Sequence, residues 1–197
     1  ADPNLKGIFR AEWVEAWETL YLINVDGIIR LDPKALLDVS ESIARGDNFI
    51  DAIEDALEIA RQSKPNPTWP DIRALWQRGN DFNDKGRLIY QYSEVTLSNQ
   101  KRLDAYIPEK EIISRKATTL SNLSPATFEN YLKELTTKYK IGTPINAPKY
   151  GDTFTGKTLQ GEYFLEIPTF NKSFFENSTT FQKLANDYYV NIKYLDE

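Results

Sequence analysis

The chain has 197 residues and a formal net charge of −5, and it contains no Cys, His or Met. These absences exclude thiol nucleophiles, histidine-based triads and zinc sites built from thiolates or imidazoles. Any bound metal must therefore be held by oxygen ligands, which suits a hard divalent ion. No stretch approaches the roughly 18 consecutive apolar residues of a membrane span. We therefore expect no membrane-spanning segment in this chain. Because the chain contains no Met, even at position 1, we expect it to be a fragment of a longer protein or a processed product.

The N-terminal third is predicted to be helical, and it carries the acidic excess of the chain. Apolar residues recur there with helical spacing in three segments, 9–22, 33–45 and 47–62. Ser63-Lys-Pro-Asn-Pro then breaks the pattern, which indicates a domain boundary. We therefore predict an N-terminal helical region over residues 1–66 and a second domain over residues 67–197.

The second domain is predicted to begin with a helix over residues 70–79, followed by a polar turn over 79–84. Three strands joined by two three-residue turns then occupy Leu88 to Leu120, where Val, Ile, Thr and Tyr dominate. The later predicted elements are a helix at 125–139, a long Gly/Pro loop at 142–160, a strand at 161–168, a helix at 173–189 capped by Ser173, and a strand at 190–195. This order predicts an α/β (α+β) fold, with a central sheet flanked by helices.

The predicted register of the three strands brings several reactive side chains together. With three-residue turns, Asp104 on the middle strand lies opposite Glu94 on one side and Ser114 on the other. Lys116 shares the face of Ser114, because side chains on a strand alternate with a period of two. Two carboxylates, a hydroxyl and an ammonium group in one patch indicate a metal-dependent phosphodiesterase.

An acid on the second strand and the tripeptide Ser114-Arg115-Lys116 on the third resemble the restriction-endonuclease-like, PD-(D/E)xK nuclease fold. The stretch GNDFND…YQYSEV…KRLDAYIPEKEIISRKAT is also similar to the C-terminal toxin domains of bacterial polymorphic and contact-dependent growth inhibition systems. The resemblance covers roughly residues 68–197 and is densest at 79–120. It implies a mixed central sheet and an Asp…Ser-x-Lys variant of the nuclease site, in which Ser114 stands where the family usually has an acid.

This resemblance implies roles for the clustered residues. Asp104, Glu94 and Ser114 are expected to hold a divalent metal ion (Mg, Mn or Zn), and Lys116 is expected to act beside the attacking water. These four residues form the predicted catalytic set. Either Asp81 or Asp84 can take the place given to Glu94 as the upstream acid.

The resemblance also implies partners and a setting. The substrate is expected to be nucleic acid, DNA rather than RNA by a slight margin, with phosphate contacts from Lys101, Arg102 and Arg115. The domain is expected to be delivered as part of a larger secreted protein, to act in the cytoplasm of a target cell, and to be neutralised by a cognate immunity protein. Residues 101–149 of the second domain hold 9 basic and 5 acidic residues, a modest basic face. The helical region 1–66 is interpreted as a delivery or entry segment, or as a shield for this basic face until release.

Two other interpretations stay open. The same fold can serve an RNase or tRNase toxin. Alternatively, the domain is a non-catalytic protein-interaction module, and Glu94, Asp104, Arg102 and Lys116 are ordinary cross-strand ion pairs that each contribute little.

Overall fold

The structure is a computed structural model that describes Ala60 and residues 69–197. The helices predicted between residues 9 and 62, apart from the buried helical residue Ala60, lie outside the described residues, as does the boundary predicted at 66–67. The chain divides into two compact units between Arg78 and Gly79. Only the second unit is described over its whole length. Within the described residues, no helix is long and apolar enough to cross a membrane.

Helix α1 extends over Trp69–Ile89, so the polar turn predicted at 79–84 is wrong. The helix continues because the buried positions Ile72, Trp76, Phe82 and Gly86 keep to one helical stripe through the Gly- and Asn-rich segment. Burial of that stripe outweighs the low helix propensity of Gly, Asn and Asp, which costs up to about 1 kcal/mol per residue.

A five-stranded sheet forms the centre of the second unit, in the order β1-β2-β3-β4-β5. The β1–β2 and β2–β3 pairs are antiparallel, and the β3–β4 and β4–β5 pairs are parallel. The strands are β1 (Ser93–Thr96), β2 (Arg102–Ile107), β3 (Glu111–Arg115), β4 (Glu162–Pro168) and β5 (Val190–Leu195). The prediction of an α+β fold with a central sheet flanked by helices is confirmed, and the sheet is mixed.

The predicted register of the first three strands is also confirmed. β2 pairs with β1 and with β3 so that Asp104 lies opposite Glu94 on one side and opposite Ser114 on the other. The start of the first strand differs from the prediction, because Leu88 and Ile89 still belong to α1.

Three further helices flank the sheet: α2 (Pro125–Lys138), α3 (Lys172–Asn177) and α4 (Thr179–Asp187). α2 begins as predicted, with the Ser124 side chain accepting the Thr127 N–H and Pro125 in the first turn. The single helix predicted at 173–189 is wrong, because extended backbone at Ser178 separates α3 from α4. The Ser178 hydroxyl caps α4 by accepting the Phe181 N–H, a role that Ser favours over a helix interior.

The core of this unit lies between the sheet and helices α2 and α4. It is built from aliphatic and aromatic side chains of β1–β5 and both helices, among them Leu103, Ile112, Leu165, Phe128, Leu132, Leu135 and Phe181. Burial of such side chains is the main favourable contribution to folding, at about 1.5–3 kcal/mol for each large apolar group.

The segment between α2 and β4, predicted as a long loop, covers the outer edge of β1. The Tyr150 hydroxyl accepts the N–H of Ser93 at 2.8 Å and also donates to its carbonyl. Asn146 N–H donates to the Thr96 carbonyl at 2.9 Å. The segment includes a short 3₁₀ stretch, Pro148–Phe154. It therefore takes the place of a further strand along this edge.

α1 packs on the sheet through a glycine and a buried arginine. A Cβ built on Gly86 would lie 1.9–2.3 Å from the guanidinium atoms of Arg115. The Arg115 side chain cannot simply move aside, because it forms a buried ion pair with Glu166 at 2.6 Å. Only glycine leaves room for this contact.

We therefore expect Gly86→Ala to lower the free energy of unfolding. Overpacking costs about 1–3 kcal/mol, more than the roughly 1 kcal/mol that Ala gains in helix propensity. The matched control is Gly79→Ala in the same helix, where no described atom lies within 4 Å of the added Cβ. This substitution should raise the free energy of unfolding. Urea unfolding of both variants provides the test. Equal changes in the free energy of unfolding of the two variants would contradict close packing at Gly86.

Candidate functional site

Asp104 lies at the centre of the predicted constellation. Its Oδ2 accepts the backbone N–H of Arg115 across the β2–β3 pair at 2.7 Å. Burial raises the pKa of the Asp104 carboxyl, and the charge of Glu94 raises it further. The charges of Arg115 and Lys116 lower the pKa, but the net shift is upward. A carboxyl group that is desolvated and exposed to several charges is a frequent feature of functional sites.

Glu94, opposite Asp104, is held by two arginines. Its Oε1 lies 2.8 Å from Nη2 of Arg87 at the end of α1, and its Oε2 lies 2.8 Å from Nη1 of Arg102. The backbone of Glu94 has a φ of 56°, in the left-handed region that costs a non-glycine residue about 1–2 kcal/mol. These two ion pairs help to retain a backbone conformation that a regular strand would not adopt.

Ser114 and Lys116 lie at the end of β3. Ser114 is buried, with 7% of its surface exposed. The Lys116 N–H donates to the Glu166 carbonyl at 3.0 Å, which extends the pairing with β4 beyond the strand. The Lys116 ammonium contacts Glu134 of α2 at 3.3 Å and lies 5.0 Å from the centroid of the Tyr131 ring.

Glu134 is the charged neighbour that the sequence analysis did not identify. Burial raises the pKa of its carboxyl, but the ammonium groups of Lys116 and Lys138 outweigh burial and hold the pKa below its ordinary value. In the sequence, Glu134 is one of several charged residues of an amphipathic helix. Nothing in its spacing indicates that packing brings it to the end of β3.

Arg115 lies in the interior, between the sheet and α1. Its Nε lies 2.6 Å from Oε2 of Glu166, and its Nη1 donates to the Asn83 carbonyl at 3.5 Å. Tyr90 also donates to Glu166. Arg115 Nη2 is buried, with no hydrogen-bond partner among the described residues.

The burial of Arg115 contradicts the prediction that its side chain is available to phosphates. Arg102 is less available to phosphates than predicted, because its guanidinium forms an ion pair with Glu94. Lys101 is exposed, and its phosphate contact stays a prediction.

The alternative upstream acids lie on α1 rather than in the sheet. Asp84 is exposed and forms an ion pair with Arg87, the same arginine that binds Glu94. Asp81 is also exposed. The sheet register brings Glu94, rather than either of them, opposite Asp104.

Within the described part of the chain, no group of three or more acidic side chains is arranged to hold a metal ion. The facing pair Asp104 and Glu94 supplies two carboxylates across the β1–β2 pair. Asp104 uses Oδ2 for the Arg115 N–H, and a carboxylate has a second oxygen to offer a cation. Both carboxylate oxygens of Glu94 are in ion pairs with arginines. Glu94 can therefore bind a metal ion only after one of these arginines has moved away.

Comparisons with protein-family models, with curated proteins and with solved structures found no match. The site is therefore interpreted from its own residues.

The raised pKa of Asp104 predicts how stability depends on pH. In the folded state the charged form is disfavoured, so the contribution of Asp104 to the free energy of unfolding should fall as the pH rises from the ordinary pKa of 3.8 through the raised pKa. Asp104→Asn removes this titration but keeps an acceptor for the Arg115 N–H. Its stability relative to the unmodified protein should increase from about pH 3 to about pH 7 in urea unfolding.

The control for this experiment is Asp196→Asn, which removes an exposed carboxylate after β5. Its stability relative to the unmodified protein should change much less between the two pH values. If Asp104→Asn shows no more pH dependence than Asp196→Asn, the carboxyl of Asp104 is not destabilised by burial.

Proposed function

We propose that the second domain is a metal-dependent nuclease that hydrolyses phosphodiester bonds, with DNA slightly favoured over RNA as substrate. One observation supports this proposal above the others. The register of β1, β2 and β3 brings two carboxylates, Glu94 and Asp104, next to Ser114 at the strand end that also carries Lys116. The resemblance to the PD-(D/E)xK nucleases assigns catalytic roles to the same four residues.

In this proposal, Asp104 is the principal metal ligand, Glu94 joins it after releasing an arginine, and Ser114 offers a weaker oxygen. A divalent ion (Mg, Mn or Zn) bound there would polarise a phosphoryl oxygen and activate water. The Lys116 ammonium stabilises negative charge as it develops on the phosphate. The exposed Lys101 binds the nucleic-acid backbone, which makes affinity sensitive to salt.

The biological setting rests on the sequence resemblance alone. The domain is proposed to be the toxin part of a larger secreted protein, delivered into the cytoplasm of a target cell and neutralised by a cognate immunity protein. The region 1–66 is proposed to serve delivery or entry.

A second candidate, a non-catalytic interaction module, is favoured by the ion pairs at the site. Glu94 pairs with Arg87 and Arg102, and Lys116 pairs with Glu134. Such pairs stabilise a surface without any bound metal, although each exposed pair contributes at most about 1 kcal/mol. This candidate predicts a partner protein and no cleavage.

The test is a parallel digest of plasmid DNA and total tRNA with Mg²⁺, Mn²⁺, Zn²⁺ or EDTA. We expect metal-dependent cleavage that EDTA abolishes. Asp104→Asn and Lys116→Met should each lower the rate on the order of 10²–10³-fold, because each removes a group that acts on developing charge.

The matched controls are Asp196→Asn and Lys133→Met, which change the same residue types at exposed positions and should leave the rate nearly unchanged. Circular dichroism confirms that each variant is folded. Cleavage of tRNA alone would favour the RNase alternative. Absence of cleavage with every metal would reject the nuclease and favour the interaction module.

A further inference from the structure

Positive charge is concentrated in two segments of the second unit. Residues 79–197 hold 15 basic and 15 acidic side chains, so this unit as a whole is neutral. Its segments 96–103 and 137–161 together hold six basic side chains and one acidic side chain, Asp152, which gives them a local charge of +5. The basic residues are Lys101, Arg102, Lys138, Lys140, Lys149 and Lys157. Charge that is separated in this way attracts a polyanion even when the net charge of the unit does not.

Backbone hydrogen bonds join these segments into parallel rows. Leu97 N–H donates to the Lys101 carbonyl at 2.8 Å, across the turn between β1 and β2. Leu97 also pairs with Ile145 in an antiparallel bridge. Ile145 N–H in turn donates to the Lys157 carbonyl at 2.9 Å. Four neighbouring rows result, and we call them the basic ribbon, defined as residues 96–101, 143–146 and 157–159.

The end of α2 is bonded to the same ribbon. The Asn99 side-chain amide donates to the Lys138 carbonyl at 3.1 Å, and Thr143 N–H donates to the Lys140 carbonyl at 3.1 Å. Lys140 is therefore held beside the basic ribbon, next to the rows that carry Lys101 and Lys157.

Three lysines of this region have no counter-ion. Lys101, Lys140 and Lys157 are exposed, and none of their ammonium groups forms an ion pair with a carboxylate in the part of the chain that the structure describes. Elsewhere in the unit, Lys183 and Lys193 each contact a carboxylate. The three charges are therefore available to an anion from outside the protein.

The width of the basic ribbon suits a nucleic-acid backbone. Neighbouring rows of hydrogen-bonded backbone lie about 4.8 Å apart, so the outer rows, which carry Lys101 and Lys157, are about 14 Å apart. A nucleic-acid strand advances about 3.4 Å for each phosphate, so it crosses this width in about four nucleotides. One strand can therefore meet more than one lysine.

The basic ribbon begins next to the candidate site. Arg102, the first residue of β2, directly follows Lys101 and forms an ion pair with Glu94. Glu94 lies opposite Asp104 in the β1–β2 register. A nucleic-acid strand that lies on the ribbon therefore runs up to the paired carboxylates.

We infer that the basic ribbon, with Lys101, Lys140 and Lys157, binds the sugar–phosphate backbone of nucleic acid beside the candidate site. Lysine binds a phosphate as a point charge, and such contacts carry no sequence information. The inference deepens the proposed nuclease and rests on it for the identity of the substrate. It adds Lys140 and Lys157 as substrate-binding residues.

The surface composition favours nucleic acid over an acidic protein as the occupant. Lysine is depleted in protein–protein interfaces, whereas amide and hydroxyl side chains join lysine in contacts to phosphates. The exposed side chains of the ribbon and its surroundings are mostly of this kind: Ser98, Asn99, Gln100 and Asn146. Ile141 is an exposed apolar exception.

The experiment measures binding of a dye-labelled DNA duplex, and of tRNA in parallel, to the whole 197-residue chain by fluorescence anisotropy. EDTA is present, so metal-dependent cleavage does not occur. Each lost phosphate contact with a duplex lowers the slope of log affinity against log salt by about 0.9, which is about eightfold in affinity at 0.1 M salt. The triple variant Lys101→Gln, Lys140→Gln and Lys157→Gln should lose at least two contacts, or on the order of 60-fold in affinity.

Two control variants separate the position of the charge from its amount. The triple variant Lys85→Gln, Lys110→Gln and Lys172→Gln removes the same charge at exposed positions outside the ribbon and should alter affinity and salt slope much less. Replacing Lys101, Lys140 and Lys157 by Arg keeps the charge and should keep the affinity within about twofold. Circular dichroism confirms that each variant is folded.

The inference is overturned if the Gln variant of the ribbon loses no more affinity than the control with Lys85, Lys110 and Lys172 replaced. It is also overturned if poly-L-glutamate displaces the labelled duplex as well as unlabelled duplex does at equal charge concentration, because the ribbon would then be a site for acidic protein segments.

The outcome is distinguishable from that of the cleavage assay. Weaker binding by the Gln variant of the ribbon, in a protein that cleaves neither substrate, supports the binding surface and rejects the nuclease. If the protein does cleave, this variant should raise KM and leave kcat nearly unchanged, because the lysines bind substrate and transition state alike. Cleavage with an unchanged KM supports the nuclease and rejects the binding surface.

Discussion

The buried ion pair between Arg115 and Glu166 connects the elements on which the candidate site depends. Arg115 is the central residue of the Ser-x-Lys tripeptide, and its guanidinium pairs with β4 while contacting α1 at Gly86 and Asn83. Its backbone N–H binds Asp104 of β2. Removing one partner of such a pair typically costs 3–5 kcal/mol, because the remaining charge stays buried and uncompensated. Because side chains alternate along β3, fixing Arg115 on the α1 side directs Ser114 to the other side.

The charged side chains around Asp104 form ion pairs with one another. Glu94 lies between two arginines, and Glu134 lies between two lysines. In the proposed nuclease, a metal ion at Glu94 takes the place of one arginine. That exchange involves a partly exposed ion pair, whose replacement costs little free energy. As described, the folded protein keeps these charged groups paired within the chain.

Local patterns predicted the elements and the strand register but not the side-chain partners. Strand alternation and turn length placed Asp104 opposite Glu94 and Ser114, as the structure has them. The helix through Gly79 was not predicted, since its stability comes from a buried stripe that outweighs local propensity. Arg115 was predicted to contact phosphates, and its burial was not foreseen because it depends on the distant Glu166 and Gly86. Glu134 reaches Lys116 through the packing of α2, which no short-range pattern encodes.

The two edge strands of the sheet, β1 and β5, differ in how their outward backbone groups are hydrogen-bonded. The hydroxyl of Tyr150 fills both hydrogen-bonding positions of Ser93 along the β1 margin, so the chain itself occupies the place of an incoming strand. β5 is the last strand on the other side, and no described residue pairs with its outward backbone groups. Among the described residues, β5 therefore carries the outward backbone groups that an added strand would pair with.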